Sequence, residues 1–547
     1  MLLQWLNKCL TKVEALQPLH IAVLYDPYAT DVYVKYLEKT LNASLGSRSL
    51  LPDYEVFVHV LYYEPGTAAV KLMEALNDKE RKYAAIVGPI DNADVEEVVD
   101  LSPAARILHV HESDAPHLSD RTRYPYNFRG WRSLEGQIAI WFHIVATNAW
   151  DHVLGIWFSE GEIVASASFA EMYNISYTAS IATNQHQPVY GDEWMRSAVQ
   201  VLRRERMRVV MLFMTVWSGR MFTCYVHTSP ISGLQYFVPG YYSPGWWVGD
   251  DIPCDSESNW VAVRGHIAAV HTPFAPGVSL FGLLEVRALE GDNTTQNLTC
   301  SPGVTVNDFF NNGELLVWGL SVGQIRPDNL VADATAFFGV AGVRYEDACA
   351  TLIGLHRTIY GRNITLEQLE NREPEAFQVA TEEMKSVEFQ GPSGPFRYYE
   401  GTGDPVYVMF LVAQYALPHR GNTSIELNGF VTFPSGPRGD PEYLWNEGGE
   451  LMWRDDSLGL SPKPHLARFP DCSLENAELW FDSCRPCAEG LFFDTYFQEC
   501  RTCVSGTFSN TTGRSACDIA NLGHYINDTL DPRMEAPCPP GTGCPQP

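Results

Sequence analysis

The sequence predicts two α/β lobes built on parallel sheets, followed by a small disulfide-rich region. Short apolar runs alternate with helical patterns in two successive sets, which are separated near Trp150. Eight of the thirteen cysteines lie between Cys472 and Cys544, so the last part of the chain has a different composition. With 547 residues, of which 45% are hydrophobic and 19% charged, the chain can bury several cores.

The first set of patterns predicts four strands and three helices. The strands are Leu19–Tyr25, Glu55–Tyr62, Tyr83–Val87 and Ile107–His111, and the helices are Val32–Leu41, Ala68–Leu76 and Ala93–Leu101. The run Tyr83–Val87 ends at Gly-Pro, and a helical pattern and a further apolar run follow within about 30 residues. This is a βαβ unit, which implies a parallel sheet.

The second set follows Trp150 and is preceded by a helix on which Leu134, Ile138, Trp141 and Val145 share one face. The later elements are strands at Val153–Trp157, Ser176–Ile181, Val209–Phe213, Gln235–Val238 and Val263–Val270, with helices at Ser166–Met172 and Met195–Arg206. Two such sets predict two Rossmann-like lobes, which bind ligands beyond the carboxyl ends of their strands.

Charge and motifs argue against several functions. The net charge of -28 disfavours nucleic-acid binding. Gly319-Leu-Ser321-Val-Gly323 matches the nucleophile elbow of hydrolases, but the elbow must lead into a helix, and Pro327 disfavours one. We therefore interpret the match as coincidence and expect neither an enzyme nor a cofactor.

His109 and His111 lie on one face of a predicted strand, close to Glu112 and Asp114. Two imidazoles with a carboxylate can hold zinc. The alternative is a strand end whose partners are backbone groups. Because no third ligand stands at a defined spacing, we do not predict a metal site.

The clustered cysteines allow two interpretations. The tail cysteines are Cys472, Cys484, Cys487, Cys500, Cys503, Cys517, Cys538 and Cys544. The spacing from Cys484 to Cys503 fits disulfides or a zinc ribbon. Eight Asn-x-Ser/Thr glycosylation sequons occur, at Asn42, Asn174, Asn293, Asn297, Asn363, Asn422, Asn510 and Asn527. This number, against about three expected by chance, favours a secreted glycoprotein and hence disulfides.

Several short segments carry a resemblance to a known family. They are YAAIVGP and LSDRTRYPYNFR, then RMFTC, QYFVPGYYSPGWW, IPCDSE, VRGHIAAV, EDACATLIGL and FQGPSGPF, in the family's order over residues 19–465. Together they resemble the ectodomains of class C G-protein-coupled receptors, in particular the metabotropic GABA type. The repeated CRPCAEGLFF and CRTCVSGTFS resemble the cysteine-rich modules of ephrin and TNF receptors.

The resemblance implies a bilobed Venus flytrap of the periplasmic-binding-protein-like type I fold. It also implies a disulfide between Cys224 and Cys254 in the second lobe. The expected division is an N-terminal extension at 1–18, lobe one at 19–148 and 334–385, lobe two at 149–275 and 386–455, a surface insertion at 276–333, a linker at 456–471 and the cysteine-rich stalk at 472–547.

Candidate ligand contacts follow the predicted strands at their carboxyl ends. They are Asp91, Asn92, Ser113, Asp114 and Trp131 in lobe one, and Met214 and Tyr241 in lobe two. The alternative is helix capping for the aspartates and core packing for the aromatic residues.

The ligand of the family does not carry over. Where GABA-type receptors grip the amino acid, this chain has Asn92, Asp114, Trp131, Met214, Tyr241 and Ala341, none of which is the family's residue. A carboxylate at Asp114 would repel an anionic ligand end by about 4 kcal/mol at ~4 Å and an effective dielectric of ~20. We therefore expect a small cationic or neutral ligand that is an amine or resembles an amino acid, or no ligand if the chain is a silent subunit.

The resemblance also implies partners and a location. We expect a homodimer or heterodimer, with Glu96–Leu101 and Trp141–Thr147 as candidate contact surfaces, and a G protein reached through a membrane domain. The sequence shows no signal peptide and no run of about 18 apolar residues. We therefore expect the chain to be a fragment of a membrane receptor, from the part that lies on the extracellular face of the plasma membrane. The alternatives are a receptor guanylate cyclase or kinase ectodomain and a soluble secreted binding protein.

Overall fold

The computed structural model describes most of the chain and divides it into two compact units. The described residues are 16–25, 50–89, 92–111, 113–130, 133–157, 160–183, 189–239, 242, 246–249, 252–271, 286–288, 299–300, 346–391, 394–398, 404–405, 409–416, 424–432, 439–445, 468–481, 483–527 and 534–540. The first unit comprises Met1–Ala139, Val270–Leu411 and Phe430–Leu444, and the second comprises Ile140–Ala269, Val412–Gly429 and Trp445–Pro547.

A four-stranded parallel sheet organises the first unit. Its early elements are β1 (Gln17–Tyr25), β2 (Tyr54–Tyr62), α1 (Ala68–Leu76), β3 (Tyr83–Val87), α2 (Asn92–Val99), α3 (Leu101–Ala104) and β4 (Leu108–Val110). The strand order is β2-β1-β3-β4, and every neighbouring pair is parallel. The four predicted strands are confirmed, and so are the predicted helices that follow β2 and β3, which are α1 and α2. The predicted helix Val32–Leu41 lies outside the described residues.

Both faces of the sheet are buried at β1, β3 and β4, as the nearly continuous apolar runs of these strands require. Ile21 and Val23 point into a core that includes Leu352 and Ile353 of the helical residues 346–356. Ala22, the residue between them, points into a second core with Leu72 of α1. Successive residues of β1 therefore serve opposite cores, which holds the sheet between two helical layers.

The later part of the first unit forms a second, antiparallel sheet. Its strands are β10 (Val286–Ala288), β11 (Thr299–Cys300), β12 (Glu388–Gly391) and β13 (Gly394–Arg397), in the order β11-β10-β12-β13, and α9 (Leu366–Glu370) and α10 (Pro374–Lys385) precede β12. Phe389 pairs with Phe396, and their rings stack with centroids 4.4 Å apart. The hairpin that contains both residues belongs to the first unit.

Most of the largest sheet belongs to the second unit. The elements here are α4 (Leu134–Thr147), β5 (His152–Trp157), α5 (Glu160–Met172), β6 (Ser176–Ile181), α6 (Glu193–Arg204), β7 (Val209–Leu212), α7 (Val216–Thr228), β8 (Gln235–Pro239), α8 (Ser256–Val263), β9 (Ile267–His271), β14 (Met409–Ala416), β15 (Ser424–Thr432) and β16 (Glu442–Trp445). The sheet order is β16-β15-β14-β9-β8-β7-β5-β6, and the pairs from β9 to β6 are parallel. The predicted Rossmann-like alternation is confirmed.

Two predicted boundaries in the second unit are wrong. The helix predicted at Ser166–Met172 begins at Glu160, six residues earlier. The strand predicted at Val263–Val270 begins at Ile267, because Val263 ends α8 and Gly265 turns the chain with φ +78°.

The described residues of the C-terminal region form four small hairpins. They are formed by β17 (Ala477–Trp480) with β18 (Ser483–Pro486), β19 (Leu491–Asp494) with β20 (Glu499–Thr502), β21 (Thr507–Phe508) with β22 (Asp518–Ile519), and β23 (His524–Asn527) with β24 (Met534–Pro537). Such short hairpins bury little apolar surface, so they depend on covalent links between them.

Candidate functional site

The candidate site of the first unit lies at the carboxyl ends of β3 and β4. β3 is followed by Gly88 and then by α2, whose first residue is Asn92. Gly88 has φ +82°, and a Cβ there would lie 2.5 Å from the Leu24 carbonyl oxygen, so the turn requires glycine. β4 is followed by Ser113 and Asp114. Because β3 and β4 are adjacent and parallel, their following loops meet.

Asn92, Ser113 and Asp114 form one hydrogen-bonded group, which we call the Asn92 cluster. The Ser113 hydroxyl donates to Asn92 Oδ1 at 2.6 Å and accepts from the Ala115 backbone N–H at 3.1 Å. Asn92 Nδ2 donates to Asp114 Oδ1 at 2.9 Å. Ser113 is fully buried, whereas Asn92 and Asp114 are half-buried. The carboxylate is therefore oriented by its neighbours.

The His109 side chain holds the loop after β3 in place by a hydrogen bond. Its Nε2 lies 2.7 Å from the Gly88 carbonyl oxygen, which can only accept, so Nε2 carries the proton. Its Nδ1 lies 2.9 Å from the Ser102 hydroxyl oxygen, and that hydroxyl donates to the Val98 carbonyl oxygen at 2.7 Å. Burial lowers the pKa of His109 to about 4, so the ring is neutral at neutral pH.

His111 fastens the loop after β4 in the same way. Its Nδ1 accepts from the Ser113 backbone N–H at 3.1 Å, and its Nε2 donates to Asn127 Oδ1. Burial, with the neighbouring His109 and Arg129, holds the pKa of His111 well below its usual value. Both nitrogens of each ring therefore contact hydrogen-bonding groups of the protein itself. Among the described residues no group of three histidine, cysteine or acidic side chains is placed to hold a metal.

A buried ion pair supports the Asn92 cluster. Arg129 has no exposed surface, and its guanidinium donates to the Ser113 and Ala115 carbonyl oxygens at 3.1 and 2.8 Å. The same guanidinium pairs with Asp404 and donates to the Ser119 hydroxyl, which donates in turn to Asp404 Oδ2 at 2.7 Å. Four hydrogen-bond partners compensate the desolvation of this cation, and they fix the loop that carries Ser113 and Asp114.

The remaining lobe-one candidates, Asp91 and Trp131, lie outside the described residues. Sequence reasoning did not single out Arg129, Ser119 or Asp404. The available signal was a charged residue, Arg129, at the end of the aromatic segment YPYNFR. Its partner Asp404 is 275 residues away and could not have been paired with it from the sequence.

In the second unit, Met214 follows β7 and has no exposed surface. Its carbonyl oxygen accepts a hydrogen bond from the buried Tyr242 hydroxyl at 3.0 Å. Tyr242 packs on Trp246, whose indole N–H donates to His266 Nε2 at 3.3 Å. This aromatic core supports the loop after β8, in which the candidate Tyr241 lies outside the described residues.

Disulfides stabilise both units and the tail. The pairs are Cys224–Cys254, Cys300–Cys349, Cys472–Cys484, Cys487–Cys500 and Cys503–Cys517. The first is the pair that the family resemblance implied. Cys538 is also disulfide-bonded, while Cys9 and Cys544 lie outside the described residues. The zinc-ribbon alternative for Cys484 to Cys503 is wrong, because each of these sulfurs is bonded to another sulfur.

The described glycosylation candidates lie at the surface. Asn174, Asn363 and Asn510 are exposed, and Asn527 is half-buried. Asn174 and Asn363 stand in turns with φ +54° and +56°. The sequons at Asn42, Asn293, Asn297 and Asn422 and the Gly319–Gly323 motif lie outside the described residues.

The comparison with known families agrees with this architecture. Residues 44–242 match the model of a family described as the receptor family ligand binding region. No curated protein matches the chain. Within the described parts of the chain, none of the helices combines the length and apolar character that a membrane crossing requires. The matched segment contains the whole Asn92 cluster and the buried Arg129.

The parallel α/β units have the periplasmic-binding-protein-like type I fold, and a disulfide-rich region follows them. The match indicates an extracellular receptor ligand-binding domain, a location that also favours disulfides.

Proposed function

We propose that the chain is the ligand-binding region of a class C, GABA-type-like G-protein-coupled receptor. The family match over residues 44–242 supports a receptor, and the ordered segments from YAAIVGP to FQGPSGPF support class C. In this proposal a small ligand binds between the two lobes, and lobe closure reorients a homodimer or heterodimer. A membrane domain outside this sequence then activates a G protein.

The Asn92 cluster carries the proposal for the ligand. The Ser113 hydroxyl, which would otherwise serve a ligand carboxylate, already donates to Asn92 Oδ1 at 2.6 Å. The adjacent group is the half-buried Asp114 carboxylate, which Asn92 orients at 2.9 Å. An oriented carboxylate attracts an ammonium group and repels an anion. The ligand is therefore an amine rather than an acidic amino acid or GABA.

The second candidate is the ectodomain of a receptor guanylate cyclase. The matched family is described as a ligand-binding region of receptors in general, so the match favours this candidate as well. The two candidates differ in the coding sequence that follows Pro547. Seven apolar spans there support the G-protein-coupled receptor, and a single span before an intracellular catalytic domain supports the cyclase.

A thermal-shift screen tests the ligand proposal. The probes are putrescine and tyramine as amines, glycine and GABA as zwitterions, and succinate and glutarate as dianions. An amine at 100 times its Kd adds about 2.7 kcal/mol to the free energy of unfolding. We expect a raised Tm with amines and none with dianions. A Tm raised by dianions alone, or by none of the probes, contradicts the ligand proposal.

A further inference from the structure

The tail is built from repeats that share one backbone conformation. Gly490, Gly506 and Gly523 have φ +82°, +85° and +84°. Each lies six residues after a cysteine, namely Cys484, Cys500 or Cys517, and each precedes an aromatic residue by two positions. Left-handed φ values of this size are readily adopted only by glycine, so the three turns are equivalent.

Strand register extends the repeat to residues that sequence alone would not align. In the first repeat Leu491 pairs with Thr502, and Phe493 with Cys500. In the third repeat His524 pairs with Pro537, and Ile526 with Glu535. Since His524 and Ile526 stand at the positions of Leu491 and Phe493, Glu535 occupies the place of Cys500.

A backbone hydrogen bond supports the same alignment. Cys503 N–H donates to the Gly490 carbonyl oxygen at 3.1 Å, and Cys538 N–H donates to the Gly523 carbonyl oxygen at 2.9 Å. Cys538 therefore occupies the place of Cys503, three residues after Glu535. The tail has a fourth repeat, and its first cysteine position is Glu535.

The observed disulfides follow one rule. The second cysteine of each repeat bonds to the first cysteine of the next, which gives Cys487–Cys500 and Cys503–Cys517. In the third repeat the second cysteine position is Ala520. By the rule, Ala520 and Glu535 are the two ends of the next link. Both cysteines are replaced together, so the series of disulfides is interrupted at one link without leaving an unpaired thiol.

A carboxylate stands at that link instead of a disulfide. Glu535 accepts hydrogen bonds from the backbone N–H of Asn521 and, at 3.0 Å, from the Asn521 side-chain amide. Asn521 is the neighbour of Ala520. His524 Nδ1 lies 3.8 Å from Glu535 Oε1. The Glu535 side chain is only 17% exposed, so these charge-assisted bonds are partly shielded from water.

The beginning of the tail is fastened to the rest of the second unit. Phe481 N–H donates to the Pro230 carbonyl oxygen at 2.5 Å, and Phe481 accepts from the Ser232 N–H at 3.3 Å. Arg203 of α6 pairs with Glu499 at 3.2 Å. The tail up to Cys517 is thus held by hydrogen bonds, an ion pair and three disulfides.

We propose that the third repeat is a joint, that is, a point at which the tail can bend. The Glu535–Asn521 contact holds β23 and β24 together, and these strands can separate without breaking a covalent bond. Residues up to Cys517 behave as one stiff segment, whereas β24 separates from β23 when the carboxylate releases Asn521. The joint is a property of the tail itself and does not depend on which ligand the receptor binds.

Hydrogen exchange of the full chain tests the joint. Tyr525 and Phe492 stand at the same repeat position, so their amides are a matched pair. We expect Tyr525 to exchange at least about tenfold faster than Phe492. A reductant should accelerate the exchange of Phe492 more than that of Tyr525, because Cys487–Cys500 closes the hairpin of Phe492, whereas Ala520 and Glu535 stand at the matching positions in the hairpin of Tyr525. Equal protection of the two amides would overturn the proposal.

The double substitution A520C/E535C tests the alignment directly. Non-reducing peptide mapping should find positions 520 and 535 linked with the loss of two hydrogens. Exchange of Tyr525 should slow by roughly 100-fold, the factor expected for a disulfide across about 15 residues. Free thiols at both positions in a folded chain would refute the alignment.

A single substitution keeps the test decisive if the double variant misfolds. Glu535→Gln removes the negative charge of the Glu535–Asn521 contact. It should accelerate exchange of the Tyr525 amide by several-fold and leave the Phe492 amide unchanged. Glu489→Gln, at an exposed position of the first repeat, is the matched control and should change neither amide. Unchanged exchange of the Tyr525 amide in E535Q contradicts the proposal that the Glu535–Asn521 contact holds the joint closed.

Discussion

Asn92 donates a hydrogen bond from Nδ2 to Asp114 Oδ1 at 2.9 Å, although the two residues follow different strands of the sheet. On its other side, Asn92 Oδ1 accepts from the Ser113 hydroxyl. One amide therefore removes a hydroxyl donor from the site and orients a carboxylate. Under the proposed function, this relationship favours an amine over the carboxylate ligand that the family resemblance implies.

Replacing Asn92 tests that relationship. Asn92→Ala removes the donor that orients Asp114 and should weaken binding of an amine about tenfold, since a net hydrogen bond is worth about 1–1.5 kcal/mol. Titration calorimetry with the amine of largest thermal shift measures the effect. Asn77→Ala, at the exposed end of α1, is the control and should bind as the unmodified chain does. Equal affinity of N92A and N77A would contradict a positioning role for Asn92.

The buried ion pair between Arg129 and Asp404 should be important for stability. Asp404→Ala leaves the Arg129 guanidinium buried without its carboxylate, which costs about 3–5 kcal/mol of unfolding free energy. Glu74→Ala breaks the exposed pair with Lys71 and should cost about 0.5 kcal/mol or less. Denaturant unfolding measures both variants. Equal losses would show that Arg129 is satisfied by its carbonyl partners alone.

Local patterns predicted the local elements well. The helix Ala68–Leu76 and the strand Tyr83–Val87 have the predicted bounds, because periodicity, the preceding turn and the Gly-Pro stop agree there. The Arg129–Asp404 pair was not predicted, because 275 residues separate its members and only the tertiary fold joins them. For His109 and His111 the sequence left two interpretations open, and the structure shows their ring nitrogens bonded to protein groups, among them the Gly88 carbonyl oxygen and the Ser113 N–H.

Acid should destabilise the fold through buried histidines, because His109, His111 and His266 all have lowered pKa values. Burial lowers the pKa of His109 and of His266 to about 4 from 6.5. Between these values the unfolded chain binds protons that the folded chain does not. The stabilisation is therefore complete above pH 6.5 and falls on acidification, by about 1.4 kcal/mol per pH unit and histidine, until about pH 4.

Unfolding experiments between pH 7 and pH 4 measure this slope. His266→Gln removes one titrating group and should reduce the slope by about 1.4 kcal/mol per pH unit. His143→Gln replaces a half-buried histidine of α4 and serves as the comparison. A slope that H266Q leaves unchanged would show that other groups control acid unfolding.

The Cys300–Cys349 disulfide should stabilise the first unit. Both cysteines are fully buried, and the bond joins β11 to the helical residues 346–356 across 49 positions. C300A/C349A should lose about 2–4 kcal/mol of unfolding free energy. Peptide mapping under non-reducing conditions should recover the linked pair from the unmodified chain. Free thiols at these positions would contradict the assignment.

The positions of the cysteines predicted the presence of disulfides in the tail but not their pairing. Clustering and sequons predicted disulfides in the tail, because a segment with so little apolar surface needs covalent links. The pairing needed the three-dimensional structure, in which the second cysteine of one repeat bonds to the first cysteine of the next. Cys300 and Cys349 carried no local signal, since they lie far apart in segments of unrelated pattern.

Removing the Asp114 charge tests the central claim most directly. The measurement is the thermal shift produced by the best amine in D114N, with D100N as a matched substitution at an exposed position of the same unit. D114N should lose the amine-induced shift, and D100N should retain it. An equal shift in both variants would contradict amine recognition by Asp114.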